Sequence, residues 1–248
     1  MPTTCIGNVI AICGGLALLS NAAVAQQSSD IITHRPSFSA SPYTVGAGVW
    51  QGEFGYLLTN NDDAPNQQTL PQALIRYGFG TSMEFQFDWA GYTNSSGNGA
   101  SGFSDPSIGF KWRLSEGPGP LQMSLLAELS LPIGGSELTS DSLDPAISFL
   151  WTYDGIADFF GTVEVAHSNK NFALNNGIGV AFAFGVHKSL FFEHQMNIPE
   201  NGGTSHSLNT GFAWLSTTDS QIDINFSLGL NDRAADFTLG AGYARRFR

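Results

Sequence analysis

Cysteine occurs twice in the 248 residues, at Cys5 and Cys13, and nowhere after them. Without later thiols the chain has no disulfide framework, no thiolate metal site and no thiol nucleophile there. Charge is scarce too: Asp, Glu, Lys and Arg make up 12% of the chain, against about 25% in soluble domains. Bases are the scarcest, 10 against 21 acids, and a net charge of −11 excludes the basic patch that nucleic-acid binding needs. Past residue 25 no apolar run approaches the ~18 residues of a transmembrane helix.

What is present begins with a targeting signature. Val9 to Leu19 form an apolar core too short to cross a bilayer as a helix, and Ala23-Val24-Ala25 is a small-x-small cleavage site. Residues 1–25 are therefore expected to be a cleaved signal peptide, which removes both cysteines. Residues 26–45, polar and carrying two prolines, read as an extended N-terminal segment on the periplasmic side, and residues 46–248 as the folded body.

That body is written with a period of two. Met83-Glu84-Phe85-Gln86-Phe87-Asp88-Trp89 alternates apolar and polar residues, as does Gln221-Ile222-Asp223-Ile224-Asn225-Phe226. Alternation puts aromatic and aliphatic side chains on one face of a strand and carboxylates, amides and glycines on the other. Twelve such strands are expected, over 49–58, 70–79, 83–92, 107–114, 121–131, 145–153, 156–167, 176–186, 190–196, 206–215, 221–230 and 236–243. The connections alternate: polar loops at 59–68, 93–104, 132–144, 168–175, 197–205 and 231–235, and short turns around 80, 117, 154, 188 and 218. An even strand number with short turns at one end and long loops at the other describes an all-β, transmembrane antiparallel β-barrel of about 12 strands. A soluble sandwich or lipocalin-like barrel shares the alternation. It is disfavoured by the load of Phe, Trp and Tyr near strand ends and by a would-be water-facing surface with only 10 bases.

The polar faces carry the candidate functional residues. Glu53, Arg76, Glu84, Asp88, Lys111, Arg113, Glu128, Asp158, Glu164, Glu193 and Asp223 should point into the lumen, where charged side chains set selectivity. Arg76, Lys111 and Arg113 are expected to line an open passage beside Glu84 and Asp88. Their clustering on neighbouring strands also suits cross-strand pairing in a filled lumen. No metal site or cofactor is expected: the five histidines are scattered, and Asp62-Asp63 and Asp141 with Asp144 read as solvated loop acids. The string Val165-Ala166-His167-Ser168-Asn169-Lys170 raises a remote alternative, an outer-membrane lipid hydrolase. Outer-membrane phospholipases place a His and a Ser two residues apart on one strand face. His167 and Ser168 are adjacent and point to opposite faces, so no nucleophile–base pair is expected.

Three segments carry a family resemblance: HRPSFSASPYTVGAG (His34 to Gly48), SDPSIGFKWRL (Ser104 to Leu114) and LPIG (Leu131 to Gly134). In order and spacing they resemble the MetA-pathway of phenol degradation outer-membrane family, over most of the chain from about residue 34. The chain departs from that pattern at His34 and Ser37, where acids are common, and at Ile133, where threonine is usual. The resemblance implies passage of small molecules, aromatic ones among them, through the outer membrane of a Gram-negative bacterium. The expected partners are outer-membrane lipid, a small solute and the barrel-assembly machinery. A passive channel or transporter is thus the leading expectation, a sealed, non-conducting structural or surface barrel its rival, and an enzyme is not expected.

Overall fold

The computed structural model describes residues 30–115, 117–168 and 171–248. The expected signal peptide lies outside the described residues. None of the described residues is helical. The strands are β1 (Trp50–Asn60), β2 (Gln67–Gly78), β3 (Met83–Trp89), β4 (Tyr92–Ser95), β5 (Gly102–Phe103), β6 (Pro106–Arg113) and β7 (Leu121–Ser130). The second half adds β8 (Asp144–Tyr153), β9 (Asp158–Ser168), β10 (Asn171–Ala183), β11 (Lys188–Pro199), β12 (Ser205–Thr217), β13 (Ser220–Gly229) and β14 (Phe237–Phe247).

These pieces make twelve wall strands. Both β3 and β4 pair with β2, at Ala73↔Trp89 and Leu70↔Tyr92, so they are one strand interrupted between Trp89 and Tyr92. The interruption has two local causes. Pro71 offers the ladder no N–H, and Gly91 adopts φ 93° where a Cβ would lie 2.2 Å from the Pro71 carbonyl oxygen. Likewise β5, paired to β4 at Tyr92↔Phe103, runs on through Ser104 and Asp105 into β6. All pairings are antiparallel between chain neighbours, and β14 closes on β1 from Trp50↔Phe247 to Asn60↔Phe237. Closure leaves no unpaired edge, which a wall facing lipid requires.

The strand count is the one expected, and the boundaries differ at both rims. Residues 168–175, expected as a loop, belong almost wholly to the β9–β10 hairpin, whose strands reach Ser168 and Asn171. Its polar residues bond to neighbouring strands: Asn175 donates to Glu164 (2.8 Å) and accepts from Asn197. The Asp154-Gly155 turn spans four residues, 154–157, rather than two.

Ile147, Ile178, Ile224, Phe85 and Phe110 project outward and stay exposed, as a lipid-facing band must. Inside, the fully buried side chains are instead mostly polar, with Arg76, Lys111, Gln51, Glu53, Glu84 and Glu193 all at 1% exposure or less. At the short-turn end, Asp219 accepts from Arg246 (2.8 Å) and Arg248 (3.1 Å). The Arg246 hydrogen bond holds the Asp219 carboxyl below its ordinary range and fastens the last strand to the β12–β13 turn. At the other end, Asp105 accepts from the Gly134 amide (2.7 Å), the Ser140 amide (2.9 Å) and the Thr139 hydroxyl (3.1 Å). It thereby clamps the long connection after β7.

Candidate functional site

What covers those buried charges is the chain's own N-terminal segment. From residue 30 to 49 the polar lead-in does not extend away from the barrel; it folds up inside it. Ile31 N–H donates to the Thr218 carbonyl (2.7 Å) and Tyr43 O–H to Asp154 (2.8 Å), both at the short-turn end. Between them Arg35 to Ser39 rise to mid-lumen, so the segment is a plug that enters and leaves by the same mouth. The physical reason is backbone chemistry. A segment without strand partners must satisfy its N–H and C=O groups elsewhere, and the inward side chains of the wall supply the partners.

Carboxylates take the plug's amides. Glu53 accepts from the amides of His34 (3.0 Å) and Arg35 (3.1 Å), Glu193 from Phe38 and Ser39 (2.8 Å each), and Glu84 from Val45 (2.7 Å). Cations take its carbonyls. Arg76 donates to the oxygens of Ile32 (2.9 Å) and Tyr43 (2.8 Å), and Lys111 to that of Ser41 (2.9 Å). The same cations pair with the acids: Arg76 lies 2.8 Å from Glu84 and 3.2 Å from Glu53, and Lys111 3.5 Å from Glu84. Lys111 Nζ is also 2.6 Å from His34 Nε2.

The plug answers with one long side chain. Arg35 donates to Gln72 (2.9 Å) and the Ala241 carbonyl (3.2 Å), and its Nε lies 3.4 Å from Asp223. Its reach depends on glycines: a Cβ at Gly55 or Gly242 would come within 2.3 or 2.2 Å of the guanidinium. Arg113 sits over the Tyr43 ring at 5.4 Å and donates to Gln122 (2.6 Å).

The expected site residues therefore separate into two groups. Arg76, Glu84, Lys111, Glu193 and Asp223 do not border an open passage; they are sealed beneath the plug and hold it, and Glu53 holds it too while one side of it touches the first of the cavities. This corrects the expectation for Arg76 and Lys111, whose partners came from a segment read as lying outside the barrel. Asp88, Glu128 and Glu164 do border open space, a cavity of about 290 Å³ on the β3–β9 side that also touches Arg35 and Phe38. Asp158 borders a second.

Two further cavities lie in the lumen. One of about 490 Å³ opens toward the long loops, between Phe38, Gln195, Asn209, Asn225 and Arg233. The other, about 390 Å³, lies at the short-turn end and is largely apolar, with Phe160, Ala181, Phe191, Ala213 and Leu215 inward where polar residues are usual. Phe160 and Phe191 stand edge to face at 6.1 Å. Glycines make room for them: a Cβ at Gly179 would sit 2.4 Å from Phe160, and one at Gly211 2.5 Å from Phe191. Arg35 and Ser37, at the plug tip, belong to the walls of all three cavities.

The sequence reading missed the plug residues, above all Arg35, Phe38 and Tyr43. One signal was available: three of the inward acids, Glu53, Glu84 and Glu193, outnumber the bases within reach. Elsewhere the structure brings little together. His167 lies 3.4 Å from Asp144 and packs edge-on against Phe172. Among the described residues no three His, Cys, Asp or Glu side chains are grouped to hold a metal ion.

A family model described as "Putative MetA-pathway of phenol degradation" matches residues 33–247. No curated protein matches the chain. Solved structures with the same fold include an outer membrane channel from Pseudomonas putida F1, at 12% identity, 86% coverage of this chain and 100% of that one, with a TM-score of 0.65. NanC porin matches at 7% identity over 79% of this chain and 98% of that one, with a TM-score of 0.56. The CymD monoaromatic hydrocarbon channel matches at 7% identity over 82% and 89%, with a TM-score of 0.51.

Proposed function

Because the chain belongs to the family described as "Putative MetA-pathway of phenol degradation", we propose that it is an outer-membrane channel for passive passage of small molecules, with compact apolar or aromatic compounds as cargo. The observation that carries this reading is a lumen occupied but not filled. Three cavities of about 490, 290 and 390 Å³ meet around one plug tip. The largest opens to the long-loop side, which faces outward in barrels of this kind. The one at the short-turn end is lined by Phe160, Phe191, four alanines and Leu215, a surface that favours apolar solutes over ions or sugars. The fold shared with a monoaromatic hydrocarbon channel agrees with that cargo.

A sealed barrel is the second reading, and the buried Glu53–Arg76–Glu84–Lys111 cluster favours it, since such a cluster fixes the plug in place. Uptake separates the two. Liposomes containing the refolded protein should admit phenol or toluene faster than protein-free liposomes and show little gain for a disaccharide. Equal rates for all solutes with and without protein would support the sealed barrel.

A further inference from the structure

The plug is not bonded evenly around its circumference, and the uneven side has a direction. Its hydrogen bonds and ion pairs run to β1, β2, β3, β6, β7, β11, β13 and β14. On the β8–β9 side the plug is tied to the turn between the two strands, by Tyr43 to Asp154 at the short-turn mouth, while among the described residues no bond runs to the strands themselves. Both the acid-lined cavity and the apolar one reach these two strands: Ser148, Leu150, Thr162 and Glu164 border the first, Thr152 and Phe160 the second. Ala40, a small plug residue, belongs to both walls. Between the cavities stands Leu150, an apolar side chain at 0% exposure on a face that is otherwise mostly polar. Beside it Thr162 carries a buried hydroxyl without a hydrogen-bond partner.

Resting on the channel reading above, we infer that solutes pass on the β8–β9 side of a plug that stays in place, and that Leu150 is the residue that sets the size limit. The energetics favour that side. Withdrawing the plug from β1, β3 or β11 takes from Glu53, Glu84 and Glu193 the backbone amides they accept from, and a buried carboxylate short of hydrogen bonds is costly. Moving the plug past Leu150 breaks no hydrogen bond with that side chain, which has none to make, and dispersion contacts are individually weak. A solute slipping through replaces those contacts with its own, and the Thr162 hydroxyl offers it one hydrogen bond. The passage so defined suits a narrow, uncharged solute carrying at most one polar group. Such a solute then reaches the Phe160–Phe191 chamber.

The chain provides a clean test, because the described residues contain no cysteine. Leu150→Cys is the only thiol in the folded body, and a bulky methanethiosulfonate can be added while current through a refolded channel is recorded. The inference expects the current to fall several-fold on addition and to recover with a reductant. It expects no change with Phe149→Cys, the neighbouring residue, which faces lipid. Leu150→Ala should raise the wild-type current about two-fold or more. Before-and-after comparison within one channel keeps the thiol test valid even if the variant is less stable. A conducting channel whose current ignores modification at Leu150→Cys would overturn this route and leave the channel reading standing. A wild type that carries no current would overturn both.

Discussion

Arg76 shares its guanidinium between Glu84, Glu53 and two plug carbonyls, with 0% of the residue exposed. Removing it leaves two buried carboxylates without their main partner, and breaking a buried pair from one side costs about 3–5 kcal/mol. Arg76→Ala should therefore lower the unfolding midpoint in lipid and make the plug accessible to protease from the short-turn side, whereas Arg113→Ala, on a partly exposed residue, should do far less. On the other face of the wall the solvent is lipid. Phe226→Arg should cost about 2–4 kcal/mol in refolding equilibria and Asn225→Arg far less, because one points out and the other in. Equal costs would contradict the assignment of faces. Alternation made these two orientations legible in the sequence alone. What Arg76 binds was not legible, because an inward acid looks the same whether it meets water, a base or the chain's own backbone.

At the scale of elements, the period of two was sufficient to count twelve wall strands, since each carries its own alternation and its own turn. Strand ends were harder. Asn171 and Asn175 resemble a loop by composition, yet they lie in β10, where Asn175 bonds to β9 and β11. The break between β3 and β4 needed knowledge of which residue faces Pro71, which a single strand's sequence does not contain. The three segments that carry the family resemblance prove to be structural fasteners. His34 to Gly48 is the plug, while Asp105 of the second and Gly134 of the third are hydrogen-bonded to each other (2.7 Å). Orientation of the hairpins is testable directly. Asn98→Cys and Asp232→Cys, in long connections, should react with an impermeant maleimide on intact cells, and Gly119→Cys, in a short turn, only after the outer membrane is breached. Reaction of all three alike would mean the barrel is inserted differently.

For the whole molecule, the balance of charge around the open space is acidic: Asp88, Glu128 and Glu164 face a single plug base, Arg35, across one cavity. Charged residues around a pore set its ion preference. The reversal potential across a salt gradient should therefore indicate cation preference, reduced in Asp88→Asn/Glu128→Gln. Arg76 and Lys111, hidden under the plug, should affect stability more than selectivity. The proposed channel is a twelve-stranded pore that an N-terminal segment narrows without closing. Single-channel current in a planar bilayer, compared between the wild type and a chain lacking residues 30–44, tests it most directly. A small, steady conductance is expected for the wild type, and one several-fold larger when the segment is gone. Silence from both proteins would contradict it and leave a sealed barrel.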